Sequence, residues 1–184
     1  MAIKYAILGM LSWRPFSGYD MKKALADSSA LYWSGNSNQV YPTLIQLHKD
    51  GLVTAEVEQD GGYPPRKVYS VTPEGVEQLK FWVVSTPELP QLRSTFLTQL
   101  AWADLLSASE LASLLDAYEH EVSMRLLMQR ERVRRNPAAP RRTPRETYLW
   151  DMIAAHDTAH YDHELSWLAE LRVGLGLSAA PVDA

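Results

Sequence analysis

The chain has 184 residues, 46% hydrophobic and 22% charged, with a formal net charge of −4, enough for one well-buried domain or two small ones. It contains no cysteine, which excludes disulfides, thiolate zinc sites and cysteine nucleophiles. No apolar run approaches the roughly 18 residues of a membrane helix and the opening Met1-Ala-Ile-Lys-Tyr5 lacks signal-peptide layout, so a soluble, cytoplasmic chain is expected.

Ile3, Ile7, Leu8 and Leu11 recur at helical spacing and predict a first helix from about Ala2 to Ser12. Arg14-Pro15 ends it, because the residue before proline is pushed out of helical dihedrals. Ser17 is placed to cap a second helix, carrying Tyr19, Met21, Leu25 and the Lys22-Lys23 pair, that runs to about Asp27. A loop with Trp33 and Gly35 follows.

A third helix begins near Ser37. Val40, Leu44 and Leu47 make its inward stripe, leaving Asn38, Tyr41, Ile45, Gln46 and Lys49 outward. Pro42 is tolerable near the first turn, and Gly51 stands where a left-handed cap would end the helix. Val53–Glu58 and Lys67–Val71 alternate as strands around the turn-rich Asp60-Gly-Gly-Tyr-Pro-Pro65. Thr72-Pro73 then starts a fourth helix that reaches about Val84.

Thr86–Pro90 reads as a linker, and a fifth helix is expected from about Leu92 to Leu106. Ser107-Ala-Ser-Glu110 is a capping box. It opens a long helix whose stripe is Leu111, Leu115, Tyr118, Val122 and Leu126. Asn136–Arg142 breaks the chain. Thr143-Pro-Arg-Glu146 opens a last helix to Arg172, with Gly174 as its stop.

A helix, a second helix with an outward polar face and a basic-tipped hairpin form the layout of a winged helix-turn-helix. The expected fold is therefore mainly α with a small β-hairpin wing. Residues 1–85 form the winged helix-turn-helix DNA-binding domain, and residues 91–175 form a C-terminal helical dimerisation domain. Amide and hydroxyl side chains suit base edges and phosphates in a major groove. The candidate DNA-binding residues are Tyr19, Lys22, Ser37, Asn38, Gln39, Tyr41 and Gln46, with Arg66 and Lys67 on the wing. The amides around Ser17, Gly18 and Tyr19 add a place for a phosphate. Residues 1–84 hold eight Lys/Arg and eight Asp/Glu, so the whole −4 comes from the C-terminal hundred residues; local charge governs phosphate attraction. Winged helices also serve as protein-interaction adaptors, and that alternative predicts binding insensitive to salt.

Ile7-Leu-Gly-Met-Leu11, Ser17-Gly-Tyr-Asp20, Gln39-Val-Tyr-Pro-Thr-Leu44, Gly51-Leu-Val53, Pro65-Arg-Lys-Val-Tyr69 and Thr72-Pro-Glu-Gly75 occur in order. Together they resemble the PadR family of bacterial transcriptional regulators, in its longer subgroup with a C-terminal helical dimerisation domain. The resemblance implies a homodimeric repressor on a palindromic operator, with Tyr41-Pro42 in the recognition helix and Arg66 and Lys67 in the wing. The outer turn Asp60-Gly-Gly-Tyr63 places Tyr63 where the wing tip should be, and some members of the family are relieved from DNA by small aromatic compounds, which makes such a compound a candidate effector.

The remaining constellations read as packing. His156, His160 and His163 share one helix face with Leu149, Met152, Trp167 and Leu171, which favours interface histidines over a metal site. The tryptophans at 13, 33, 82, 102, 150 and 167 read first as core or interface residues, though an effector pocket could draw on them. Arg130, Arg132, Arg134, Arg135, Arg141 and Arg142 fit a solvated helix end. Neither a catalytic motif nor a cofactor motif is present, and no enzyme, metal or cofactor is expected.

Overall fold

The computed structural model describes residues 2–28, 37–59, 65–89, 94–135 and 139–177. The expected features at Trp33, Gly35, Tyr63 and most of the 60–65 turn lie outside these residues. The chain divides into two compact units, Met1–Pro87 with Asn136–Trp150, and Glu88–Arg135 with Asp151–Ala184. The described residues 139–150 thus group with the first unit.

In the first unit, α1 (Ala2–Trp13) leads into β1 (Phe16–Ser17) and α2 (Gly18–Asp27). A single 3-10 turn, Ser37–Gln39, enters α3 (Val40–Lys49). Strands β2 (Val53–Glu58) and β3 (Arg66–Val71) form the hairpin, and α4 (Pro73–Val83) follows. The strand β1 is absent from the sequence expectation. It pairs antiparallel with β3, Phe16 opposite Tyr69 and Ser17 opposite Val68, so the sheet order is β1-β3-β2. Two residues are too few to show an alternating pattern, and Ser17 also caps α2 by accepting from the Asp20 amide at 3.1 Å.

The α3 stripe is where the spacing predicts it, with Val40, Leu44 and Leu47 all buried. They join Ile7, Leu8, Phe16, Met21 and Tyr69 in one core, each large apolar side chain contributing about 1.5–3 kcal/mol of burial. Gly51 ends α3 in the left-handed region at φ 72°. Its amide donates to His48 and the Leu52 amide donates to Leu47, the paired bonds of a Schellman cap.

The second unit holds α5 (Thr95–Ala101), a 3-10 turn at Ala103–Leu105, α6 (Ala108–Arg134) and the greater part of α7 (Pro144–Gly174). The fifth helix is shorter than expected and changes to 3-10 geometry past Trp102. The Ser107–Glu110 capping box forms in full. Hydrogen bonds from Ser107 hold the Glu110 carboxyl below the usual carboxylate range. At the start of α7 only half of the expected box forms. The Glu146 amide donates to Thr143 Oγ1, while its carboxylate accepts from the Arg142 backbone and guanidinium. Gly174 is the last residue of α7 and not its left-handed cap, which is Gly176 at φ 67°.

The second core is small: Phe96, Leu115 and Leu168, flanked by Tyr118 and Trp167. The Phe96 ring stacks on Tyr118 with centroids 3.6 Å apart and meets Trp167 edge-on. Arg172, 4% exposed, is paired with Asp116 and Glu119. Of the histidine stripe, Leu149, Met152, His156, His160 and His163 are exposed, while Trp167 and Leu171 pack against the small core. Among the described residues no cluster could hold a metal ion, and no helix is long and apolar enough to cross a membrane.

Candidate nucleic-acid interface

Burying Val40, Leu44 and Leu47 fixes the rotation of α3 and therefore what it shows outward. The outward surface consists of Tyr41, Pro42, Ile45, Gln46 and Lys49, with Asn38 and Gln39 exposed on the 3-10 turn before them. Tyr41 is 47% exposed and Ile45 50%. Gln46 Nε2 donates to Asp50 Oδ1 at 2.7 Å, which commits one amide hydrogen and leaves the carbonyl oxygen available as an acceptor. Ser37 lies in the same 3-10 turn.

The start of α2 meets α3 through a missing side chain. A Cβ at Gly18 would lie 2.4 Å from Cε1 of Tyr41, so glycine is what lets the Tyr41 ring settle over this helix end. Tyr19, the next residue, is 69% exposed. Lys22, one turn on, is half-buried, with less reach than its neighbour Lys23, which is exposed. The expected free amides are fewer than the sequence suggests. Ser17 Oγ takes the Asp20 amide and donates to the Asp20 carboxylate at 2.7 Å, which puts a negative charge at this helix start and weakens it as a phosphate site.

On the hairpin, register places Arg66 opposite Glu58. The guanidinium donates twice to Glu58 Oε2, at 3.1 and 2.9 Å, so the basic pair expected there is half neutralised. Lys67 Nζ sits 5.8 Å from the centre of the Tyr69 ring. Tyr69 is buried, and burial, followed by the nearby Tyr41, pushes its phenol upward from the ordinary value. Tyr41, Gly18 and Tyr69 thus form one connected corner of the first unit. Sequence reasoning gave Gly18 a part only through its backbone amide, and gave Glu58 and Tyr69 none. Only Gly18, adjoining a helix cap, carried a local signal.

Several other charged and aromatic groups have partners of their own, while Trp102 is 70% exposed. Arg134 and Arg135 hold Glu131, lowering its carboxyl to about 2. Arg130 pairs with Asp162. Arg142 pairs with Glu146 and also donates to the Ser12 carbonyl at 2.7 Å, which ties the first turn of α7 to the end of α1. Trp82 stacks on Tyr5 with centroids 4.5 Å apart, and Trp13 packs at a tilt on Phe16.

Residues 7–81 match the model of the transcriptional regulator PadR-like family. The negative transcriptional regulator PadR of Bacillus subtilis is 29% identical over 113 residues, 61% of this chain and 62% of that protein. The chain therefore spans under two thirds of this relative's length. The crystal structure of Bacillus subtilis PadR in complex with operator DNA aligns at a TM-score of 0.80 and 22% identity, over 93% of this chain and 97% of that one. The same protein in complex with p-coumaric acid aligns at 0.79 and 21% identity, over 96% and 99%. At these identities the structural likeness establishes the fold. Residues 7–81 thus carry a domain of the PadR-like family of transcriptional regulators.

Proposed function

We propose that the protein is a sequence-specific DNA-binding repressor that acts as a homodimer on a palindromic operator. The observation that carries this reading is the α3 face: Asn38, Gln39, Tyr41 and Gln46 stand outward while Val40, Leu44 and Leu47 lock the helix from behind. Each subunit places α3 in a major groove, where amide side chains meet base edges, while Tyr41, Tyr19 and Lys22 approach the backbone. The hairpin brings Lys67, and Arg66 once it leaves Glu58, to the flanking phosphates.

Two copies are needed to read two half-sites. Support for self-association comes from the apolar side chains that α6 and α7 leave exposed, among them Met124, Leu127, Met128, Leu149, Met152 and Ile153. A small aromatic acid is the effector class we assign, by likeness to the relative solved with p-coumaric acid. Its binding would favour a dimer whose recognition helices no longer match the operator spacing.

The discriminating experiment is binding to duplex DNA across a salt series. Neutralising phosphates releases counterions, so the logarithm of affinity falls linearly with the logarithm of salt. A steep negative slope supports the DNA-binding reading. No DNA binding, or binding that ignores salt, favours a protein-interaction adaptor.

A further inference from the structure

We propose that Ile45 determines part of the operator sequence by packing on the 5-methyl group of a thymine. The inference rests on the DNA-binding reading of α3. Ile45 is the one open-chain aliphatic residue on the outward face of that helix, and half of its surface stays in solvent. The inward positions are already filled by Val40, Leu44 and Leu47, so the core gives no reason for an isoleucine here. A β-branched side chain also lowers helix propensity relative to the straight-chain residues that suit an exposed position.

What Ile45 offers instead is a stiff apolar knob. Branching at Cβ restricts its first torsion in a helix, so its methyl groups are presented with little freedom left to lose on binding. It stands one turn beyond Tyr41 and beside Gln46, in the middle of the outward face. In the major groove the thymine methyl is the distinctive apolar group among the base edges, and aliphatic side chains read it by contact. Ile45 stands six and seven residues beyond Gln39 and Asn38, about 9–10 Å along the helix at about 1.5 Å per residue, so the thymine lies within about three base pairs of the bases they meet.

The test uses the full chain and a duplex chosen by selection from random DNA. Each thymidine is replaced in turn by deoxyuridine, which keeps the base pair and removes only the methyl. For the wild type, one replacement per half-site should weaken binding about fourfold, the equivalent of about 0.8 kcal/mol for one methyl. Ile45→Ala should bind more weakly than wild type and lose its sensitivity to that same replacement. Ile45→Val should keep part of it. The inference fails if the wild type tolerates every replacement, or if Ile45→Ala remains as sensitive as the wild type. If the wild type selects no duplex at all, the DNA-binding reading fails, and this inference fails with it.

Discussion

At residue 18 the lack of a single carbon sets the resting place of the Tyr41 ring. The conflict a Cβ would create there is with the end of a side chain, not with backbone, so relief comes from swinging Tyr41 aside. Gly18 is buried, but because Tyr41 can move, Gly18→Ala should destabilise the fold by no more than about 1 kcal/mol, near the centre of the range for point substitutions. DNA affinity should fall by about 1–2 kcal/mol, comparable to Tyr41→Ala, and the double variant should be no worse than either alone. Binding titrations on all three variants check this, and full additivity would separate the two residues. The contact could not be read from the sequence, because the partners are 23 positions apart and glycine says nothing about what fills its space. The outward orientation of Tyr41, Gln46 and Ile45 was legible, because three buried residues at helical spacing leave one choice of rotation.

The element scale shows what a hairpin and a capped helix do for the site. Thr72 caps α4 by accepting from the Gly75 amide at 3.1 Å. A Cβ on Gly75 would fall 2.2 Å from the Leu52 carbonyl oxygen and 2.8 Å from Val71 Cγ2. Because the first of these is backbone, Gly75→Ala should destabilise the first unit by about 1–3 kcal/mol, seen as a lower denaturation midpoint with DNA contacts untouched. On the hairpin, Glu58→Gln frees Arg66 and removes a negative charge. It should raise affinity for all duplexes a few-fold, as expected for relieving an exposed pair worth up to about 1 kcal/mol. Arg66→Ala with Lys67→Ala should weaken all duplexes alike and reduce the salt slope by about 2. A loss confined to one sequence would show that the wing reads bases. The two hairpin strands and the Thr72-Pro73 start were legible from alternation and cap chemistry. The Arg66–Glu58 pair follows from register, which the composition of the turn alone does not specify. The strand Phe16–Ser17 is created by its partner β3, and the left-handed cap of α7 falls on Gly176 and not on Gly174, because only backbone geometry distinguishes two glycines so close together.

For the molecule as a whole, the net charge of −4 makes any DNA affinity depend on where charge is placed, since the protein gains nothing from its overall sign. The second unit carries a group whose titration is set by its packing. Tyr118, packed on Phe96 and donating to Glu164 at 2.8 Å, has its phenol pushed up to about 12 by burial and by that carboxylate. A folded-state value above the unfolded 10 means the neutral phenol is favoured by the fold. The resulting stability is present in full below pH 10 and is lost as pH rises towards 12. Denaturant midpoints measured between pH 9 and 11.5 should fall for the wild type and fall less for Tyr118→Phe, which keeps the ring stack and lacks the ionisable group. Equal slopes for the two proteins would remove Tyr118 from this role.

The reading as a dimeric DNA-binding regulator is tested most directly by selection from a random duplex DNA library by the purified chain at near-physiological salt. It predicts enrichment of an inverted repeat whose half-sites lie one helical turn apart, about 34–36 Å, or a multiple of that distance. Enrichment of a single unrepeated motif would contradict the symmetric dimer. A pool that remains random, with and without small aromatic acids, would contradict sequence-specific DNA binding itself.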